Sequence, residues 1–318
     1  MIRYVAGRVA QAAVVLWAAF TATFVVLYLL PSDPVEIQLG AAGIQPDSLT
    51  PQQLAAAEAK YGLDRPVADQ YLSALTGALH GNFGTSIAKQ VPVGDLIGDR
   101  LSGTLVLSAL AGLLAVVAGT AVAYLAALVR FRPGRALLSR LPALGVAVPS
   151  FLVALILIQL FAFQLGWLPS LGNGGPRALV LPVITMAIPP AAQLAQVLTR
   201  SFEDTLGEQY IVTARAKGLS RGQVQLRHAF RNAALPALTI LGLLVGTTVT
   251  SAIVVETVFN RNGIGRLAQE AVLAKDIPVV LAIVVIAAAG FVAVNLLVDL
   301  LYPLLDPRIT HTRSRELT

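Results

Sequence analysis

Ser86 and Lys89 stand at the S-x-x-K spacing of serine acyl-transfer enzymes, where a lysine beside a serine helps make the hydroxyl a nucleophile. The S-D-N and K-T-G companions of that chemistry are missing, and a four-residue pattern arises often by chance, so a loop serine near a loop lysine is the better reading. His80, His228 and His311 have no second histidine at helical spacing and do not compose a metal site. The absence of cysteine removes disulfides, thiolate metal sites and a cysteine nucleophile together. No G-x-x-x-x-G-K-[ST] loop occurs, nor even a Gly-Lys dipeptide, so any ATP that drives this chain is held by a partner. The residues thus offer no catalytic, cofactor or metal site.

Polar groups inside apolar runs are the stronger leads, because they are costly in hydrocarbon and face a cavity or a partner. Asn295 and Asp299 lie four apart on one helical face, Thr247, Thr250 and Ser251 share another, and Gln193 and Gln196 a third. For the Thr/Ser set, back-bonding to the helix's own carbonyls is as good an explanation as lining a pathway. Asp299 lies near the end of its run, where it can also reach water. Thr247, Thr250, Ser251, Asn295 and Asp299 are the candidate pathway residues.

The elements that carry them are set by composition. Of 318 residues, 56% are hydrophobic and only 13% charged, and the mean hydropathy is +0.74, which makes the bilayer the solvent. The pI of 9.9 invites a nucleic-acid reading, but the basic residues sit in short loops between apolar spans, where they act as topology signals. Six runs reach the ~20 residues of a crossing: Val9 to Pro31, Leu101 to Val129, Leu141 to Leu165, Ala178 to Thr199, Ala237 to Val255 and Ile277 to Leu301. The first follows Arg3 and Arg8 and is too long for a signal peptide, so it reads as a retained helix. Gly242 and Gly246 allow close helix approach in the fifth run, and Pro182, Pro189 and Pro190 should kink the fourth.

The expected organisation is all-α and polytopic: a tail and first span over 1–31, an extended loop over 32–100, a transmembrane core over 101–305, and a tail over 306–318. Within the loop, Thr50-Pro51 predicts a capped helix over Thr50 to Tyr61. Fifteen basic residues fall on the side of the termini, the loop Arg130 to Arg140 and the segment Arg200 to Pro236, which contains the expected coupling loop 201–236, against eight opposite. That side, with both termini, is therefore read as cytoplasmic.

The segment Arg200 to Pro236 is the longest charged interruption between apolar runs. Thr205 with Glu208, and Ser220 with Gln223, have capping-box spacing and predict two short helices hinged at Gly218, with Arg215 and Lys217 in the last turn of the first. Pro236 is placed where the next apolar helix begins. The product is a helix-turn-helix elbow on one membrane side.

The string Tyr210-Ile-Val-Thr-Ala-Arg-Ala-Lys-Gly218-Leu-Ser, followed by Arg227-His-Ala-Phe-Arg-Asn-Ala-Ala-Leu-Pro236, resembles the EAA loop of ABC-importer permeases. It is most similar to the branch importing dipeptides, oligopeptides and nickel. Further matching strings are Leu30 to Pro34, Gly62 to Pro66 with Gln70 to Leu72, Gly81 to Ser86, Val255 to Phe259 with Gly263 to Arg266, and Leu305 to Arg308. Where the general motif begins Glu-Ala-Ala this chain has Val212, Thr213 and Ala214, and the Gly218 to Pro236 spacing is longer than in sugar importers; both departures fit the peptide/nickel branch.

The resemblance implies a six-helix permease of the type I ABC-importer fold in a bacterial inner membrane, with no cofactor on this chain and ATP and Mg on partner subunits. The implied partners are a second, similar permease, two cytoplasmic ATPase subunits, an extracytoplasmic binding protein and membrane lipid, with no nucleic acid. Thr213, Ala214, Arg215, Ala216, Lys217, Gly218 and Leu219 would form the ATPase-coupling helix, and the cargo would be peptides, with nickel or another small solute as the alternative. An ion-coupled secondary transporter would need an intramembrane carboxylate, for which Asp299 is thin support.

Overall fold

The computed structural model describes residues 2–28, 50–61 and 64–305, with single positions 40 and 45. The Leu30 to Pro34 string, much of the expected loop before position 50, and the tail 306–318 with His311 lie outside the described residues.

Among the described residues the backbone is helical between short connections, with one isolated antiparallel bridge, Thr85 to Pro92. In chain order the helices are α1 (Ile2–Tyr28), α2 (Pro51–Tyr61), α3 (Val67–Leu79), α4 (Val93–Leu128), α5 (Arg132–Ala147), α6 (Ser150–Leu157) continuing as a π-helical segment Ile158–Gln164, α7 (Arg177–Leu206), α8 (Gln209–Ala216), α9 (Arg221–Val224) continuing as a π-helical turn Gln225–Ala229, α10 (Phe230–Val258), α11 (Ile264–Leu273) and α12 (Ile277–Leu305). The expected cap of α2 forms: Thr50 Oγ1 accepts from Gln53 N at 3.4 Å and Gln53 Oε1 accepts from Thr50 N at 3.0 Å.

Gly7–Leu27 of α1, α4, α7 and Ile277–Leu296 of α12 are each long and apolar enough to cross a membrane, and the bent pair α5 with α6 makes a fifth crossing if read as one span. The remaining expected run, Ala237 to Val255, lies inside the 29-residue α10, longer than the ~20 a crossing needs.

Three expectations change. The second span starts at Val93 rather than Leu101, because Val93 and Ile97 are buried against Ile264 and Leu267 and draw the helix into the region read as loop. The third is not one helix after a loop: Arg132 already begins α5, and the chain turns by 103° between α5 and the α6 segment. Val148, which precedes Pro149, is extended at φ −84°, ψ 124°, the conformation that the proline ring imposes on its predecessor. Pro236 stands inside α10 rather than at its start, so the Asn232 carbonyl loses its helical donor. By contrast α7 runs unbroken through Pro182, Pro189 and Pro190.

The helices form two compact units. In one, Phe20 and Phe24 of α1 pack with Ile277 and Leu281 of α12 and against Tyr71 of α3, whose hydroxyl accepts from Trp17 Nε1 at 3.0 Å and pairs with Thr21 Oγ1 at 2.8 Å. In the other, one apolar cluster joins Leu107, Ala154, Leu181, Met186, Val255 and Phe259, and a second joins Leu198, Phe202, Ile211, Val224 and Ala233. Gly119 and Gly145 let α4 and α5 approach α7: a Cβ at Gly119 would lie 2.7 Å from the Ala191 carbonyl oxygen, and one at Gly145 2.8 Å from Ala192 Cβ.

Candidate functional site

The elbow is a packed element, not a string between spans. Ile211 and Ala214, three apart on α8, are buried in the cluster with Phe202, Val224 and Ala229, and Leu219 packs against the same cluster. That leaves Val212, Thr213, Arg215, Ala216, Lys217 and Gly218 exposed. Gly218 has φ +81°, the left-handed conformation that favours glycine after a helix, and its N–H donates to the Arg215 carbonyl at 3.0 Å. Ser220 Oγ accepts from Gln223 N at 3.4 Å while Gln223 Oε1 accepts from Ser220 N at 3.0 Å, the reciprocal cap read from sequence. Tyr210 donates to the His228 carbonyl at 3.3 Å and accepts from Asn232 Nδ2 at 2.9 Å. Buried Gln225 donates through Nε2 to the Tyr124 carbonyl at 2.9 Å, tying the elbow to α4.

The Thr205/Glu208 capping box does not form. Phe202 and Thr205 are buried, so α7 extends to Leu206, and Glu208 becomes an N-cap with no side-chain hydrogen bond to the helix. The two short helices of the elbow also differ: α9 has four residues and runs through the π-helical turn into α10.

Beside the elbow lies a cleft of about 290 Å³ lined by Ala127, Arg135, Glu203, Leu206, Arg215, Arg221 and Val224 among others. Arg135 Nη2 bonds Glu203 Oε1 at 2.9 Å across it.

Ser86 and Lys89 are engaged elsewhere. Buried Ser86 donates its hydroxyl to Asp276 Oδ2, and Asp276 also accepts from Ile87 N and Ala88 N, both at 3.2 Å. Lys89 Nζ lies 2.8 Å from Glu270 Oε2, which Arg100 approaches at 3.4 Å, while Arg266 Nε reaches Oε1 at 3.1 Å. Lys89 Nζ is turned to Glu270 rather than to the Ser86 hydroxyl, whose partner is the Asp276 carboxylate, and the segment is a clasp between the start of α4 and the α11–α12 connection. Burial pushes the Glu270 carboxyl up, but Lys89, Arg100 and Arg266 outweigh it and hold the group below its usual value. His80 Nδ1 sits 2.7 Å from the Thr76 carbonyl oxygen, and among the described residues no group of acids and histidines could hold a metal ion.

The pathway candidates are distributed over two helices. Ser251 on α10 and Asn295 on α12 are half-buried; Thr247 and Thr250 belong to α10 and Asp299 to α12 by backbone, with side chains outside the described residues. Gln193 on α7 is half-buried and Gln196 exposed. Sequence reading assigned no role to Glu256 and Arg261, which are 1% and 9% exposed. Arg261 Nη1 donates to the Gly172 and Ala178 carbonyls at 3.2 and 3.3 Å; burial lowers its pKa and Glu256 raises it. A charged pair five apart at the end of an apolar run was the available signal. Gln159 and Gln164 were also missed: they line an otherwise apolar hollow on the π-helical segment.

Residues 83–311 match the family model described as binding-protein-dependent transport system inner membrane component, and residues 1–108 match the N-terminal model of the same components. The chain is 36% identical over 312 residues to the glutathione transport system permease protein GsiC of Escherichia coli strain K12, covering 98% of this chain and 100% of that one. The protein of the same name from Salmonella paratyphi A matches at the same identity and coverage. Among solved structures, an amino acid ABC transporter crystallised with histidines is similar over 65% of this chain and 93% of its own (TM-score 0.51, 22% identity). The inward-facing MetNI methionine ABC transporter is similar over 66% and 96% (TM-score 0.52, 17% identity). These two similarities are of fold.

Proposed function

The chain belongs to the family of binding-protein-dependent transport system inner membrane components, and from that premise we propose that it forms, with a second similar permease, the membrane pathway of an ATP-driven peptide importer. As an ABC-importer permease it is a transport component, and its fold is that of type I ABC permeases. What carries the cargo assignment is the similarity to a glutathione permease across 98% of the chain, glutathione being a tripeptide. Nickel or another small solute is the alternative within the family.

The elbow is the coupling element of this reading. Its inner residues Ile211 and Ala214 lock it to the ends of the long helices, and its outer residues Val212, Thr213, Arg215, Ala216 and Lys217 are free to meet a cytoplasmic ATPase. A short helix anchored on one side transmits a push to the helices it is packed on. ATP and Mg reside on two such ATPase subunits, a binding protein delivers cargo from the opposite side, and both termini are cytoplasmic. Thr247, Thr250, Ser251, Asn295 and Asp299 are the pathway residues of this proposal.

The test is purification of the tagged chain after gentle solubilisation, followed by reconstitution with the binding protein. A complex with a second permease and an ATP-hydrolysing subunit, taking up a labelled tripeptide only with ATP, is the expected result. A chain that purifies alone would sink the importer; an intact ATPase complex moving nickel but no peptide would sink the cargo assignment.

A further inference from the structure

We propose that the cleft beside the elbow receives a carboxylate side chain of the ATPase subunit, held by Arg215 and Arg221; this rests on the coupling reading above and names the chemistry of its contact. The cleft gathers the end of α4, the first turns of α5, the end of α7, the last turn of α8 and α9. Of its four charged side chains, Arg135 and Glu203 satisfy each other at 2.9 Å. Among the described residues neither Arg215 nor Arg221 has an ion-pair partner, and both line a hollow whose one acid, Glu203, is already paired with Arg135. An anion there relieves their repulsion, and guanidinium forks match a carboxylate with two parallel hydrogen bonds.

Size and position choose the anion. A space of about 290 Å³ with Ala127, Leu206 and Val224 in its walls accommodates one carboxylate with its short apolar stem. Glu203 and Leu206 lie beyond Thr199, where the apolar run of α7 ends, by about 6–10 Å at ~1.5 Å per residue. That places the cleft past the hydrocarbon, on the face a soluble partner reaches. On the exposed outer side of α8, Gln209, Val212, Thr213 and Ala216 contain no acid; exposed Glu208 caps the start of the helix, and Arg215, Lys217 and Arg221 gather at and beyond its end. A partner seated on that end meets cations beside an apolar knob, and charge complementarity assigns the acid to the partner.

The experiment uses the purified complex and a zero-length carbodiimide, which joins an amine to a carboxylate in contact. Single variants Arg215→Lys and Arg221→Lys keep the charge and supply the amine. The expected product, read by mass spectrometry, is a cross-link from the substituted position to an Asp or Glu of the ATPase. The double variant Arg215→Glu/Arg221→Glu is expected to lower ATPase recovery ~10-fold or more, with permease yield and second-permease recovery as the folding control. Cross-links to Glu203 alone, or undiminished ATPase recovery in the charge-reversed variant, would overturn the proposal while leaving the coupling reading intact. Anionic phospholipid that co-purifies with the wild type and is lost from the charge-reversed variant would overturn it in favour of a lipid occupant. Absence of any ATPase from the wild-type preparation would remove the coupling reading itself.

Discussion

Asp276 is 2% exposed and accepts three hydrogen bonds from the segment 86–88, so its removal strands a hydroxyl and two amides in a largely buried site. Each stranded group costs ~1–3 kcal/mol. Asp276→Ala is therefore expected to lower the thermal unfolding midpoint in detergent by several degrees, and Asp276→Asn, which keeps one carbonyl acceptor, by less; an unchanged midpoint for the alanine variant would contradict the clasp. Glu270 adds a pH dependence. Its folded pKa lies below the usual 4.5, so its contribution is fully present above that value and is lost as pH falls through the lower folded pKa. The stability gap between wild type and Glu270→Gln should stay constant from about pH 7 to pH 5 and narrow as pH falls below 4.5; a gap that is flat throughout would rule the cation cluster out. The Ser86/Lys89 spacing was legible in the sequence, but their partners were not: Asp276 is 190 positions from Ser86, and no local pattern encodes such a pairing.

Helix approach is decided by two glycines and the alanines that face them. At Gly119 even a methyl group would press on a backbone carbonyl at 2.7 Å, which cannot swing away as a side chain can. Gly119→Ala is expected to destabilise by ~1–3 kcal/mol and to show it as a lower unfolding midpoint; an unaffected midpoint would mean that α4 and α7 can separate at no cost. Sequence reading anticipated small-residue contacts at Gly242 and Gly246, where the spacing is conspicuous, but Gly119 and Gly145 belong to no motif. Caps divided in the same way. Ser220 and Gln223 formed the predicted box because the chain before them turns at Gly218, whereas Thr205 and Glu208 have the same spacing but are overridden by burial of Phe202 and Thr205, which lengthens α7. The break of the third span was signalled by Pro149 yet hidden in a continuous apolar run, since hydropathy carries no information about direction.

Along the chain, long apolar helices are joined between α7 and α10 by a packed, charged elbow, and hydropathy made those long helices legible. The π-helical turn that joins α9 to α10 was not, because such turns have no composition of their own. Whether the elbow transmits force is decided at Gly218. A Cβ added there meets nothing within 4 Å, so only the φ of +81° opposes substitution. A β-branched residue at positive φ costs roughly 1–2 kcal/mol or more, which should tilt α8 relative to α9 rather than unfold the chain. The most direct measurement compares the ratio of peptide taken up to ATP hydrolysed, in proteoliposomes with the binding protein, for wild type, Gly218→Asn and Gly218→Val. The elbow as coupling element predicts continued hydrolysis with a ratio ~10-fold lower for the valine variant and near wild type for asparagine, which tolerates the left-handed conformation. An undiminished ratio in an assembled Gly218→Val complex would contradict it.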